Sequence, residues 1–143
     1  MRKLTILFVV SITACLFIAI CAMSFYNSLF PMAAPITSPG KETIVSIGVS
    51  SNERDVPHCV DNSQYDGLIQ RIQNAKPTRR QSLNDTPTTA DYYKIVIHTN
   101  DKEYYFFIYN SEGQAYVEIP YSGIYAVDMS LLESVHSYCN SGD

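Results

Sequence analysis

The sequence predicts an α+β fold: an N-terminal transmembrane helix, then a small antiparallel sheet in the order β-α-β-β-β-α with helices packed on one face. Three observations carry this. An apolar run fills Leu4 to Tyr26, a helix-period stripe starts at Tyr65, and Tyr92 to Asp128 alternates like a meander of strands.

Leu4 to Tyr26 is interrupted only by Thr and Ser. As a helix it spans about 34 Å, enough for a hydrocarbon core of about 30 Å. Arg2 and Lys3 precede it, and the remainder carries 8 basic against 14 acidic residues. That asymmetry predicts a cytoplasmic N-terminus and a C-terminal domain outside the cell membrane. A retained signal anchor over residues 1–26 is the leading expectation. Cleavage near Ala22-Met23-Ser24 and lipidation at Cys15, in Ile12-Thr13-Ala14-Cys15, are the alternatives, and all three export the domain. An acidic domain also argues against nonspecific nucleic-acid binding, which depends on neutralising phosphates.

Residues 27–42 hold Pro31, Pro35 and Pro39 among Ser, Thr and Ala, the composition of an extended tether. The domain is expected over 43–143. Its first strand is Thr43 to Val49, where Val45, Ile47 and Val49 alternate with Ser46 and Gly48 and Ile44 lies off-register. A polar loop, Ser50 to Pro57, follows. Asp61, Asn62 or Ser63 is placed to cap a helix whose apolar face is Tyr65, Leu68, Ile69, Ile72 and Ala75. Lys76-Pro77 ends it.

Tyr93, Ile95 and Ile97 alternate with Lys94 and His98, and Asn100-Asp101-Lys102 is a polar turn. Glu103 to Tyr109 is apolar on both sides, which predicts the most buried strand. Asn110-Ser111-Glu112-Gly113 suits a type I turn closed by a glycine bulge. Gln114 to Ile119 alternates again, Pro120 to Gly123 makes a bend, and Ile124 to Val127 resumes extended structure. Ser130-Leu131-Leu132-Glu133 has the spacing of a capping box opening a C-terminal helix, and Asn140 to Asp143 is expected as a tail.

Between the helix and the meander, Thr78 to Asp91 is polar but dense in side chains that make specific contacts. Arg79, Arg80, Ser82, Asn84 and Asp85 form a candidate partner-binding set, because arginine grips a carboxylate or phosphate at two points. The competing reading is local: Asn84 and Asp85 bond nearby amides while the arginines answer the acidic surroundings. Tyr121 and Tyr125, beside the Pro120–Gly123 bend, are the tyrosines placed to face a ligand; the other tyrosines of the meander are expected to pack across strands.

Cys59 and Cys139 lie outside the apolar run, and in an oxidising compartment they are expected to form a disulfide. His58-Cys59 with His136-x-x-Cys139 offers two His and two Cys for zinc, but neighbours on an extended chain point to opposite faces, so no metal or other cofactor is expected. A phosphate-binding glycine loop, a paired-cysteine zinc motif, HExxH and GxSxG are all absent, so no catalytic residues are assigned.

The segments Arg80-Gln81-Ser82-Leu83-Asn84-Asp85-Thr86-Pro87, Tyr92-Tyr93-Lys94-Ile95 and Tyr116-Val117-Glu118-Ile119-Pro120-Tyr121-Ser122-Gly123-Ile124-Tyr125 resemble a family of small membrane-anchored proteins of Gram-positive bacteria, a domain of unknown function. The likeness covers about Val45 to Tyr138. It implies export and this fold, and no activity is attached to it. Ile119 departs from that family's usual polar residue before the proline. The function expected is a membrane-tethered, extracytoplasmic, non-enzymatic module that binds a protein or cell-surface ligand. The alternatives are a sensor or regulatory accessory to a membrane peptidase or transporter, and a small envelope hydrolase.

Overall fold

The structure, a computed structural model, describes residues 2–53 and 57–140. The middle of the expected Ser50–Pro57 loop, the end of the expected tail and the side chains of Arg2, Lys3 and Leu4 lie outside the described residues. The chain divides into two units, Met1–Met32 and Ala33–Asp143. The first is a single helix, α1 (Arg2–Leu29). Its Thr5–Leu29 portion is long and apolar enough to cross a membrane. The hydroxyl of Thr13 turns back onto the carbonyls of Val9 and Val10, so the helix satisfies this polar group internally.

The second unit is a seven-stranded antiparallel sheet with two helices. Its elements are β1 (Ile44–Ser51), β2 (His58–Cys59), α2 (Tyr65–Gln73), β3 (Lys76–Pro77), β4 (Tyr93–Thr99), β5 (Glu103–Ser111), β6 (Gln114–Ile119), β7 (Gly123–Val127) and α3 (Met129–Asn140). The spatial order is β2-β1-β4-β5-β6-β7-β3. β2 and β3 are two-residue caps on the sheet edges and were not visible as strands in the sequence. Short edge strands limit the backbone left open to pairing with another chain.

One face of the sheet carries the main core. Ile47 and Val49 of β1 stand opposite Ile97 and Ile95 of β4. Ile108, Val117 and Tyr125 continue that layer across β5, β6 and β7. The stripe Tyr65, Leu68, Ile69, Ile72 and Ala75 closes over this face, joined by Leu131, Val135 and Cys139 of α3. Arg71 on α2 donates to Ser134 Oγ at 2.7 Å, tying the helices together. Asp61 is the capping residue: its carboxylate accepts from Ser63 N at 2.8 Å, starting the 3₁₀ turn that runs into α2. α3 starts at Met129, so Ser130 lies inside its first turn instead of capping it.

β5 is the central strand, and Phe106, Phe107, Ile108 and Tyr109 are all buried, which fits its apolar character on both sides. β1 departs from simple alternation. The register between β1 and β4 shifts between Ile44 and Ser46. This bulge turns Val45 out, 61% exposed, and brings Ile44 against the core. The β5–β6 hairpin is also tighter than expected. Ser111 pairs with Gln114, leaving only Glu112 and Gly113 in the loop, with φ of 55° and 79°. Two central residues with positive φ define a type I′ turn, whose twist matches that of the strands.

The expected tether is slack only in part, because from Ala33 onward it lies on the domain. Ala33 N donates to Thr78 O at 3.0 Å, and Tyr125 Oη donates to Ala34 O at 2.8 Å. Ile36 packs against the core, Pro39 is buried, and Lys41 pairs with Asp66. A Cβ at Gly123 would come within 2.6 Å of the Ala33 methyl, so only glycine permits this approach.

The bulge predicts a sharp contrast on one strand. Ile47→Ala should destabilise the domain by about 2–5 kcal/mol in denaturant unfolding, whereas Val45→Thr should change it by less than about 0.5 kcal/mol. Comparable losses at the two positions would mean that β1 alternates without a bulge.

Candidate functional site

The second face of the sheet is not the one that α2 and α3 cover, yet Phe107, Tyr109, Glu118 and Ile124 are buried there. Residues 78–91 run across it as a strap. At one end Thr78 N donates to Ile124 O at 3.2 Å and Ile124 N donates to Arg80 O at 3.1 Å. At the other, Asn52 donates to Ala90 O and accepts from Tyr92 N. In the middle, Ser82 Oγ donates to Glu118 Oε1 at 2.7 Å, with both residues buried. Among the described residues every buried side-chain N or O has a hydrogen-bond partner. Burial pushes the Tyr109 phenol up, and the charge of Glu118 with its hydrogen bond pushes it further.

The candidate binding residues separate on this frame. Ser82 is 4% exposed, so its hydroxyl serves Glu118 and has no room for a substrate. Arg80 lies 5.1 Å from the Tyr116 ring centre, a cation–π contact that lays its stem along the sheet. Arg79 is half-buried and Asn84 is exposed. Asp85 Oδ1 accepts from Tyr121 Oη at 2.8 Å, which holds that phenol above its ordinary range. Tyr125 does not join them. It is buried in the helix-face core with its hydroxyl on Ala34 O. The alternation of β7 sends it there, one residue away from outward-facing Ile124.

Tyr121 is the unusual member. Ser122 N donates to Ile119 O at 3.0 Å, closing a turn with Pro120 and Tyr121 at its centre. Tyr121 has φ of 58°, as the third residue of a type II turn requires, a position that normally takes glycine or asparagine. It is 68% exposed, and Leu83 on the strap is 74% exposed. Leu83 was missed from the sequence; a lone leucine inside a polar segment was the available signal.

A separate cleft of about 470 Å³ opens between the ends of β1 and β4 and the last turn of α3, lined among others by Glu53, His58, Asp91, Tyr93, His136 and Cys139. Tyr93 Oη lies 2.6 Å from His136 Nδ1, and Asn140 Nδ2 lies 3.0 Å from His136 Nε2. Both ring nitrogens of His136 are thus engaged, one with Tyr93 and one with Asn140. The Tyr93 phenol is raised by burial, then by the negative charges of Cys139, Asp91 and Glu53. The cleft also corrects the expected disulfide: Cys59 and Cys139 are not bonded. His58 pairs with Val49 of the core face and Cys59 with Gly48 of the other, so the thiols lie on opposite sides of the sheet. The same alternation breaks up the two-His, two-Cys set, and among the described residues no group of three His, Cys, Asp or Glu converges as a metal site.

Two outcomes follow from the strap. Ser82→Ala leaves the buried Glu118 carboxylate short of a donor and should cost about 1–3 kcal/mol in chemical unfolding. Asp85→Ala, which removes an exposed bond, should cost less. Tyr109 and Tyr125 are both held above the ordinary phenol range, chiefly by burial. A raised folded-state pKa leaves stability intact below about pH 10, the unfolded value, and erodes it as pH rises further. In a tyrosinate absorbance titration these two phenols should therefore lag the exposed ones and ionise together with alkaline unfolding. Simple titration of all tyrosines near pH 10 in a folded protein would contradict this.

Comparison with known proteins agrees with this architecture. No curated protein matches the chain. It is similar to a solved protein from Ruminococcus gnavus, determined by NMR: the two are 27% identical with a TM-score of 0.56, and the match covers 66% of this chain and 92% of that one. Residues 32–126 match the DUF5301 family, described as "Domain of unknown function (DUF5300)". That match starts where the docked segment starts, runs through the strap and the Tyr121 turn, and ends inside β7. The chain belongs to this family of domains of unknown function.

Proposed function

We propose that this chain is a non-enzymatic binding module, held on the outer face of a membrane by α1, which engages a protein or other surface partner through the turn at Tyr121. The observation that carries the reading is the state of Tyr121 itself. A non-glycine residue in the left-handed region costs on the order of 1–2 kcal/mol, and such outliers gather at functional positions. Here the cost supports an aromatic side chain that is mostly exposed and is held in place by Asp85. Tyrosine combines large contact area with little entropy to lose, which is why it anchors interfaces. Leu83 adds apolar surface from the same strap, and the arginines at 79 and 80 add charge for an anionic partner.

The outward orientation rests on the basic residues before α1 and the acidic domain after it. A second reading, a sensory or regulatory accessory to a membrane peptidase or transporter, is favoured by one contact. The Ala33 methyl lies close against Gly123, the first residue of β7 and next to the Tyr121 turn, so the segment after α1 runs beside the proposed contact surface.

Both parts of the proposal can be tested in intact cells carrying the full chain. Cys59 is exposed on β2, and a membrane-impermeant maleimide should label it without lysis; protection of Cys59 until lysis would refute the outward placement. A photoreactive residue at 121 or 83 should give a discrete crosslinked species that one at Val45, also well exposed on the bulge, does not. Indistinguishable crosslinking from 45 and 121 would sink the turn as the contact surface.

A further inference from the structure

We propose that the partner of the Tyr121 turn is the headgroup layer of the same bilayer that α1 crosses. Tyr121 and Leu83 enter the interface, and Arg79 and Arg80 meet anionic lipid phosphates. This rests on the reading of the turn as the contact surface, and it names what the turn contacts. The argument starts from the covalent chain. α1 ends at Leu29, and Ala33 is already bonded to Thr78 of the domain. Only Phe30, Pro31 and Met32 lie between them, so at most about 14 Å of extended chain separates Ala33 from the helix end. The headgroup region on one side of a bilayer is about 5–8 Å deep, so this leash does not carry Ala33 far beyond it. Phe30 and Met32 are exposed apolar side chains, which favour the interface over water and shorten the reach further.

The groups around this docking point are those that an interface accepts. Ala33 N donates to Thr78 O, the residue just before the two arginines, and Arg80 O accepts from Ile124 N at 3.1 Å. The Ala33 methyl lies close against Gly123, two residues from Tyr121. Asp85 accepts from the Tyr121 hydroxyl, which brings alongside the part of the strap that carries exposed Leu83. Tyrosine suits a membrane–water boundary because its ring is apolar and its hydroxyl polar. Arginine lays its stem along apolar surface while its head grips a phosphate at two points. Beyond Lys3 the chain carries 14 acidic residues against 8 basic ones, so an anionic bilayer repels most of its surface. The adjacent arginines are attracted instead, which turns this margin of the sheet toward the lipid. The short leash also keeps lipid at a high effective concentration, so weak affinity at each side chain suffices.

The chain has no tryptophan, so a single introduced one reports its own surroundings. Tyr121→Trp, Leu83→Trp and Met129→Trp are made in the full chain, the last just beyond the far end of β7 from the turn. Each is reconstituted into vesicles of phosphatidylcholine brominated on its acyl chains, with or without phosphatidylglycerol. With phosphatidylglycerol present, tryptophan at 121 and 83 should lose most of its emission and shift to shorter wavelength, while tryptophan at 129 keeps its emission. Arg79→Gln with Arg80→Gln should restore much of the emission at 121, and Arg79→Lys with Arg80→Lys should not. Thermal midpoints near the parent's, checked also in each single variant, separate these effects from a folding defect. The proposal is overturned by equal quenching at all three positions, or by none at 121 and 83. Quenching at 121 that is indifferent to phosphatidylglycerol, or to the glutamine changes in a folded variant, overturns it equally. The photoreactive residue at 121 in cells separates this proposal from the reading beneath it. A lipid adduct supports it. A protein adduct in place of the lipid one overturns the lipid assignment while the turn stays a contact surface, and the absence of any discrete adduct removes both.

Discussion

The constraint on which this domain depends is that its central strand is apolar on both sides. Phe106 and Ile108 face the helices, and Phe107 and Tyr109 face away from them. Two short helices can cover only one face of a sheet this wide. The other must be covered by chain with no regular structure of its own, whose backbone groups then need partners. The strap over residues 78–91 answers that need with bonds to Ile124 at one end, to Asn52 at the other and to Glu118 between them. A buried carboxylate is expensive unless satisfied, so the bond from Ser82 gives the strap a defined position as well as cover.

That arrangement separates what holds the domain together from what remains available for recognition. Of the polar side chains on the strap, Ser82 points inward and is consumed by the fold. Asp85 points along the surface to orient Tyr121, and Leu83 points out. Asn52 and the start of β4 form a wall of the cleft beside α3 that is shared with the end of the strap. The turn at Tyr121 thus presents exposed groups on a scaffold in which, among the described residues, every buried polar side chain has a partner, the condition under which loop residues can be positioned accurately.

Features governed by local periodicity were legible in the sequence. The face Tyr65, Leu68, Ile69, Ile72 and Ala75, the meander from Tyr93 and the doubly apolar β5 each carry their pattern in adjacent residues. What was not legible depends on contacts between distant residues. Val45 looks inward by alternation, and only the register with β4 reveals the bulge. The two-residue strands β2 and β3 exist because longer neighbours offer them an edge. Residues 33–40 read as spacer by composition because nothing in them announces Thr78, Gly123 or Tyr125 as partners. At the surface, Asp85 and Tyr121 were each picked out, but their pairing was not. Tyr125 was picked out for standing near the bend, although parity along β7 already directed it inward.

The docking of residues 33–34 against Thr78 and Tyr125 has a mechanical corollary. A tension applied along the chain from α1 does not reach the sheet through a slack leash. It meets first the Ala33–Thr78 and Tyr125–Ala34 hydrogen bonds and the Ala33–Gly123 contact. These are few, lie at one margin of the sheet and can peel one after another, while the long central ladders stay unloaded. The attachment is therefore placed to act as a fuse: under load it would lengthen by several residues before any strand was lost, and close again when the load was removed.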